Sequence, residues 1–338
     1  MDWKTLQSSA REKFRGACRV CRVCNGVVCA GEVPGMGGIG SGASFQGNVA
    51  ALAEYRLNLR TIHTVVQPKL GCRVLGLDLA MPVLGAAIGG IKLNMNVEEM
   101  TEADYDLAVV GGCRAAGTIC MTGDGPMPEV FDSGLQALAA ENGWGIPIIK
   151  PREPERIVEL AKRAAAEGAP AFGMDIDAAA FFNMTRLGQP VSPKSLQELE
   201  YIKRNTEIPF IVKGIMTADE AALCREAGID AIVVSNHGGR AFEFAPGTAE
   251  VLPHIAEAVK GKMTILADGG IRSGADVLKM LALGADAVLL GRALTVGAVG
   301  GGREGVQLVL AKLADELRTA MVLTGTASVQ AVSENILW

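Results

Sequence analysis

The sequence has few aromatic residues and few histidines. Phe, Trp and Tyr make up 4% of its 338 residues, although 49% are hydrophobic and 42 are glycine. An apolar content that comes mostly from small and aliphatic side chains, together with many glycines for tight turns, favours an α/β protein over a β-sandwich. Because only three histidines are present, each can be weighed separately as a candidate acid or base.

The chain also lacks a long basic run and an apolar leader. Its net charge of −5 argues against nucleic acid as the main partner. The first 14 residues are polar and charged, so no signal peptide is evident. The longest apolar run, residues 74–91, contains Asp78 and Pro82, which favours a hairpin and a buried strand over a membrane span. We therefore expect a cytoplasmic protein with no membrane partner, whose cysteines are reduced thiols, metal ligands or catalytic groups rather than disulfides.

Short apolar runs alternate with amphipathic stretches along most of the chain. Between residues 81 and 292 there are eight such runs: MPVLGAAI, AAGTICMT, IPIIK, APAFGMDID, IPFIVKGI, AIVVSNHGG, MTILADGGI and DAVLLGR. Strands that alternate with helices form parallel sheets, and eight strand–helix units predict an α/β fold of the (β/α)8 type, a TIM barrel. Thr217 and Ser273 are placed as N-caps of two intervening helices. We assign residues 48–338 to the barrel and residues 1–47 to a Cys-rich and Gly-rich N-terminal extension.

Polar and charged residues stand at the ends of the later apolar runs. The active site of such a barrel lies at the C-terminal ends of its strands. The candidates are therefore Asp175, Asp177, Lys213, Ser235, His237, Arg240, Asp268, Arg272, Gly291 and Arg292. His237 is a candidate base because it stands at a strand end with acids on a neighbouring strand. His63 and His254 are assigned surface or packing roles.

The last two strand ends have the composition of a phosphate site. Gly269, Gly270 and Gly291 would let backbone N–H groups approach an anion, and Arg272 and Arg292 would add forked donors. The alternative is that the two arginines form salt bridges on the barrel rim. We favour the phosphate site because barrels of this type usually place one there.

The motifs SNHGGR at 235–240, DGGIR at 268–272 and GR at 291–292 resemble those of the FMN-dependent 2-hydroxy-acid oxidase/dehydrogenase family, typified by glycolate oxidase. The likeness covers roughly residues 48–335. It implies an oxidoreductase that uses FMN to oxidise a 2-hydroxy acid or a related hydroxylated small molecule. It also implies self-association, since relatives are often tetramers.

The resemblance implies a role for each matching residue. His237 would be the active-site base, and Asp177 would orient it and stabilise its imidazolium. Arg240 would bind the substrate carboxylate, with Arg186 as a second, loosely aligned carboxylate-binding residue. Lys213 would lie near the flavin N1/O2 edge. The implied FMN contacts are Ala86, Ala87, Ile88, Asp175, Lys213, Ser235, Asp268, Gly270, Arg272, Gly291 and Arg292.

Two tyrosines that usually face the substrate in this family are missing. The strand-3 position aligns with Ile149, and the N-terminal position falls in segment 35–42, which has no Tyr. These departures imply a pocket of different size or shape. Two alternatives to hydroxy-acid oxidation therefore stay open: a flavin-dependent isomerase resembling type 2 isopentenyl diphosphate isomerase, and an FMN-binding module that no longer turns over.

Half of the eight cysteines are crowded into one short segment. Cys18, Cys21, Cys24 and Cys29 have the spacing C-x2-C-x2-C-x4-C. Consecutive x2 spacing is typical of a cubane iron–sulfur site, but the last spacing is longer than in ferredoxins, so zinc, a redox-active thiol set and an arm that binds no metal remain alternatives. Because the segment precedes residues that cover the flavin in the family, we hypothesise that a cluster there would pass electrons to an external carrier.

Overall fold

A parallel eight-stranded barrel forms the centre of the protein in a computed structural model that describes residues 1–338. It is preceded by a short antiparallel hairpin, β1 (Cys72–Val74) and β2 (Leu77–Leu79). The barrel strands are β3 (Val83–Gly85), β4 (Met121–Thr122), β5 (Ile146–Ile149), β6 (Phe172–Asp175), β7 (Phe210–Ile215), β8 (Ala231–Val234), β9 (Thr264–Ala267) and β10 (Ala287–Leu290). Strand β10 pairs with β3, and a parallel bridge between Gly85 and Cys120 joins β3 to the β4 side and closes the circle. The predicted (β/α)8 barrel and its eight strand segments are confirmed.

Helices surround the barrel and connect its strands. They are α1 (Trp3–Lys13), α2 (Ala43–Glu54), α3 (Glu102–Ala115), α4 (Pro128–Ala140), α5 (Pro154–Ala166), α6 (Phe182–Arg186), α7 (Leu196–Arg204), α8 (Ala218–Glu226), α9 (Thr248–Val259), α10 (Gly274–Ala282) and α11 (Arg292–Thr324). The last helix is interrupted at Gly301 and Gly302. Thr217 and Ser273 cap α8 and α10 with their hydroxyl groups, as predicted. No helix is both long enough and apolar enough to cross a membrane.

Strand residues alternate between two apolar layers. Inward-facing side chains form a cluster inside the barrel that includes Leu84, Ile148, Ile211, Val233, Leu266 and Leu289. Outward-facing side chains of the same strands join a larger cluster with the helices, as the two-residue period of a strand requires. Val74 and Leu79 of the hairpin belong to the inner cluster, so the hairpin fills the N-terminal end of the barrel and leaves only the C-terminal end open.

The N-terminal extension is packed against the barrel. Leu6 and Ala10 of α1 and Phe14 directly after it are fully buried, and Ser9 donates a hydrogen bond to the carbonyl of Gly300 in α11. Helix α2 runs across the predicted boundary between residues 47 and 48. That division into two domains stays a prediction, and the contacts show that the extension contributes to the core.

Candidate active site

The open end of the barrel contains a cavity of about 520 Å³. Most of the predicted site residues line it: Ala86, Ala87, Ile88, Asp175, Lys213, His237, Arg240, Asp268, Gly270, Arg272, Gly291 and Arg292. Asp177 and Ser235 lie directly behind this wall and contact His237. The cavity is closed on one side by residues 33–36 and 39 of the extension.

His237 is held in an uncommon backbone conformation by its neighbours. Its φ is +59°, and Gly238 and Gly239 that follow also have positive φ. The His237 N–H donates to Ser235 Oγ at 3.1 Å, while Nδ1 lies 2.9 Å from Asp177 Oδ1. A carboxylate at Nδ1 fixes the tautomer that carries its proton there. The lone pair on Nε2 is therefore free to accept a proton.

The charges around this pair keep the base unprotonated and its partner ionised. Burial lowers the pKa of His237, with further lowering by Lys213 and Lys150, and this outweighs the opposing effect of Asp177. Burial works against ionisation of Asp177, yet His237 and Lys213 together lower its pKa to about 2. At neutral pH the pair therefore consists of a neutral imidazole and a carboxylate, which is the form required of a base.

Lys213 and Asp177 are brought together by a bulge in β7. The strand register shifts between Lys213 and Ile215, and Gly214 between them has φ +109°. A Cβ atom at Gly214 would lie 2.6 Å from the Cβ and Cγ atoms of Asp177. Burial alone would lower the pKa of Lys213, but Asp177, Asp268 and Asp175 raise it. The ammonium group is therefore charged beneath the cavity.

Three arginines face the same cavity without a carboxylate partner. Arg240 donates to the carbonyl of Gly35 and, at 3.0 Å, to Asn94 Oδ1, while Arg292 donates to the carbonyl of Met36 at 2.7 Å. Arg272 donates to the Ile271 carbonyl and to Cys24 Sγ. Burial lowers the pKa of Arg292, and repulsion from Arg240 and Arg272 lowers it further. Because buried cations require anions, this end of the cavity is built to receive negative charge.

The polar groups of the cavity fit FMN. Asp175 Oδ1, Asp268 Oδ1 and Arg272 Nε are buried without any hydrogen-bond partner. A phosphate would satisfy Arg272 and Arg292, while the ribityl hydroxyls and ring N–H of a flavin would offer donors to the two carboxylates. Gly270, with φ +77°, also lines the cavity, and a Cβ atom there would lie 2.6 Å from the carbonyl oxygen of Asn48.

Lys150 is a site residue that the sequence interpretation missed. The inward positions of β5 are Ile146 and Ile148, and the same alternation carries Lys150 into the cavity. Ile149, expected to occupy the missing tyrosine position, packs in the outer core. That expectation was wrong because it followed residue spacing in an alignment and not the two-residue period of the strand.

Arg186 does not reach the site. It ends the short helix α6 and is exposed, and it does not line the cavity. Met184 of the same helix is buried and lines the cavity. Two residues along a helix correspond to a rotation of about 200°, so Arg186 points to the opposite side. Its predicted role in carboxylate binding is corrected accordingly.

The four N-terminal cysteines lie together beside the arginines. All are partly exposed free thiols. The pKa of Cys18 is raised by burial and also by repulsion from Cys24, Cys21 and Cys29, and Cys24 Sγ accepts from Arg272 at 3.3 Å. No three of the sulfur atoms lie within 4.8 Å of one another. Tetrahedral zinc would hold them ~3.8 Å apart, so the thiols are not arranged as a zinc site.

The substitution Gly214→Ala tests how Asp177 is positioned. The added methyl group would displace Asp177 from Nδ1, and since Asp177 raises the pKa of His237, we expect that pKa to fall. Histidine NMR titration measures this directly, because the chain has three histidines. Gly188→Ala is the matched control: its φ is +74° and a Cβ there meets nothing within 4 Å. An unchanged titration midpoint of His237 in Gly214→Ala would contradict the claim that the close approach of Gly214 positions Asp177 at Nδ1.

Comparisons with known proteins identify the family of the chain. The model of the FMN-dependent dehydrogenase family matches residues 35–194 and 182–338. Mouse 2-hydroxyacid oxidase 1 is 32% identical over 86% of this chain and 87% of its own length, and an L-lactate dehydrogenase of Xanthomonas campestris is 50% identical over 42% of this chain and 37% of its own. A crystal structure of mandelate oxidase R163L with 2-hydroxy-phenylacetamide superposes with a TM-score of 0.79 at 29% identity, covering 99% and 97% of the two chains. The chain therefore belongs to the FMN-dependent dehydrogenase family.

Proposed function

We propose that this protein oxidises the CH–OH group of a 2-hydroxy acid to a 2-oxo acid with FMN as the electron acceptor. The observation that carries the proposal is the pairing of a neutral His237, with Nε2 free, and an Arg240 that has no carboxylate partner, on one wall of one cavity. A base and a carboxylate-binding cation are the two groups that this reaction needs from the protein.

The cofactor would be held by the unsatisfied groups described above. Arg272 and Arg292 would bind its phosphate, Asp268 and Asp175 its hydroxyl and ring N–H donors, and Lys213 would place a positive charge beneath it. Oxidation of CH–OH to C=O removes two electrons and two protons, of which bound FMN would take both electrons and one proton.

The remaining proton is handled by residues of the chain. Arg240 would anchor the substrate carboxylate and so bring the hydroxyl-bearing carbon near His237. Nε2 would accept this proton as the bond between the proton and the substrate breaks. Asp177, 2.9 Å from Nδ1, would stabilise the imidazolium that forms. The proton therefore resides on His237 until solvent removes it.

The side chain of the substrate would lie against an apolar wall. Phe181 packs its ring at 5.0 Å from the ring of His237, and Met184, Leu93 and Ile39 also line the cavity. Ile39 comes from segment 35–42, where relatives usually carry a phenol. We therefore propose that the preferred 2-hydroxy acid carries an apolar side chain.

The two alternatives are less well supported. An isomerase would need a second phosphate site for its diphosphate substrate. Outside the proposed FMN region, the cations that line the cavity are Arg240 and Lys150, and Lys150 is paired with Asp175. A module without turnover would have no use for an oriented base. Membership of a dehydrogenase family favours oxidation over both.

Anaerobic mixing with a panel of 2-hydroxy acids tests the proposal through the loss of flavin absorbance. We expect reduction by acids with apolar side chains, and a rate ~10²–10⁴-fold lower in His237→Asn, which removes the base, with FMN still bound. His254→Asn is the matched control because His254 is exposed on α9. Wild-type protein that retains its flavin colour with every donor would contradict the proposal.

We propose further that Cys18, Cys21, Cys24 and Cys29 hold an iron–sulfur cluster. Support comes from their mutual proximity and from the consecutive x2 spacing of Cys18, Cys21 and Cys24, which is typical of a cubane iron–sulfur site. The site adjoins Arg272, so a cluster there would provide an exit for electrons to an external one-electron carrier.

Metal analysis and paramagnetic-resonance spectra of anaerobically purified protein test the cluster. We expect several iron atoms and acid-labile sulfides per chain, lost in Cys21→Ser. Cys224→Ser is the control, since Cys224 is a buried thiol in α8. A flavin-only spectrum without iron, or zinc in its place, would overturn the assignment.

The tetrameric assembly is implied by the resemblance, and the cytoplasmic location is an expectation from the sequence. We retain the tetramer and the cytoplasmic location as proposals, together with the domain boundary at residue 47. Sedimentation of the purified protein checks the first of these.

A further inference from the structure

Lys150 and Asp175 form an ion pair inside the active-site cavity. Lys150 Nζ donates to Asp175 Oδ2 at 2.6 Å, and the two side chains are only 10% and 6% exposed. The desolvation cost of a buried ion pair often offsets its Coulombic gain, so such a pair is weak evidence for a role in stability. A pair at this position therefore calls for an explanation in terms of the site.

Asp175 lies within electrostatic reach of the proton-accepting atom of the base. Its Oδ2 atom is 4.0 Å from His237 Nε2, while Asp177 already occupies Nδ1. An imidazole between two free carboxylates is stabilised as the imidazolium. A histidine that is protonated at rest cannot take a proton from a substrate.

The same oxygen of Asp175 is bonded to Lys150. The ammonium group lies 2.6 Å from Oδ2, whereas His237 Nε2 lies 4.0 Å from it. The positive charge of Lys150 therefore largely cancels the electrostatic effect of the Asp175 carboxylate on His237. Phe181 covers the pair, with Lys150 Nζ 5.1 Å from its ring centre, and limits the water that could screen it. Lys150 itself is fixed by its backbone N–H, which donates to Asp124 Oδ2 at 2.8 Å.

The other charges that face His237 come from every neighbouring element. They are Asp177 after β6, Lys213 on β7 and Asp268 after β9. Arg240 in the loop of His237 and Arg292 at the start of α11 line the same cavity. Asp177 and Asp268 are offset by Lys213. Lys213 also acts on Asp175, but Lys150 is the cation that is hydrogen-bonded to it, at 2.6 Å.

We propose that Lys150 is a positioning residue that holds Asp175 away from Nε2 of His237 and so keeps the base free to accept the substrate proton. The inference rests on the proposed function, in which His237 is that base. It assigns Lys150 a role that is independent of substrate contact, and it explains why an aspartate is tolerated beside the base.

Substitutions of Lys150 and Asp175 should shift the titration midpoint of His237 in opposite directions and compensate each other when combined. Lys150→Met frees Asp175 to stabilise the imidazolium, so the His237 midpoint should rise by about one pH unit. Asp175→Asn leaves the ammonium unpaired near His237, so the midpoint should fall. The double variant should return towards wild type, and Lys150→Arg should stay close to it because the charge is retained.

Two readouts separate this inference from the proposed function. Histidine NMR titration of the FMN-bound protein reports the midpoint without any turnover. Anaerobic flavin reduction against pH should show the same shift: the rate depends on neutral His237, so Lys150→Met should lose about tenfold at pH values below both midpoints and recover above them.

Each outcome has a defined meaning. Unmoved His237 midpoints in both Lys150→Met and Asp175→Asn would overturn the inference, as would a double variant that fails to compensate. If Lys150→Met does not fold, Asp175→Asn alone still tests the predicted fall. Wild-type protein that reduces no flavin would instead count against the proposed function, while the titration would still decide the role of Lys150.

Discussion

Charge that is withdrawn from water must meet opposite charge, and this constraint organises the open end of the barrel. The two-residue period of the strands places Lys150, Asp175, Lys213 and Asp268 in one layer above the apolar interior. Within that layer each charge has a partner, as in the Lys150–Asp175 contact of 2.6 Å. The arginines above it have none, and they define where anions are expected to bind. The site is thus a pattern of satisfied and unsatisfied charge.

The N-terminal extension takes part in this pattern. Carbonyl groups of Gly35, Met36 and Gly37 accept hydrogen bonds from Arg240 and Arg292, and Phe45 stacks on the guanidinium of Arg292 at 3.8 Å. The segment therefore covers the anion-binding end of the cavity while the cysteines stand next to it. Any group bound by these cysteines would lie close to Arg272 and hence to the phosphate that Arg272 is proposed to bind.

Sequence reasoning predicted the parts of this structure that depend on local pattern. The eight apolar runs became the eight strands, and the polar residues that follow them became the cavity wall, because a parallel barrel brings all such ends to one face. Lys150 was missed although the alternation Ile146, Ile148, Lys150 contains it. Arg186 was misplaced because nothing in its sequence indicates that a five-residue helix turns it outward. Contacts such as Cys24 with Arg272 join residues 248 apart and depend on how the extension packs.

The central claim is that the unpartnered arginines are kept for the anions of cofactor and substrate. Comparing the affinity of flavin-depleted protein for FMN and for riboflavin, by quenching of flavin fluorescence, tests it most directly because the two ligands differ only in the phosphate. Two charge-assisted contacts at Arg272 and Arg292 predict that FMN binds at least ~100-fold more tightly, with a preference that weakens in Arg272→Met. Equal affinity for the two flavins would contradict the account.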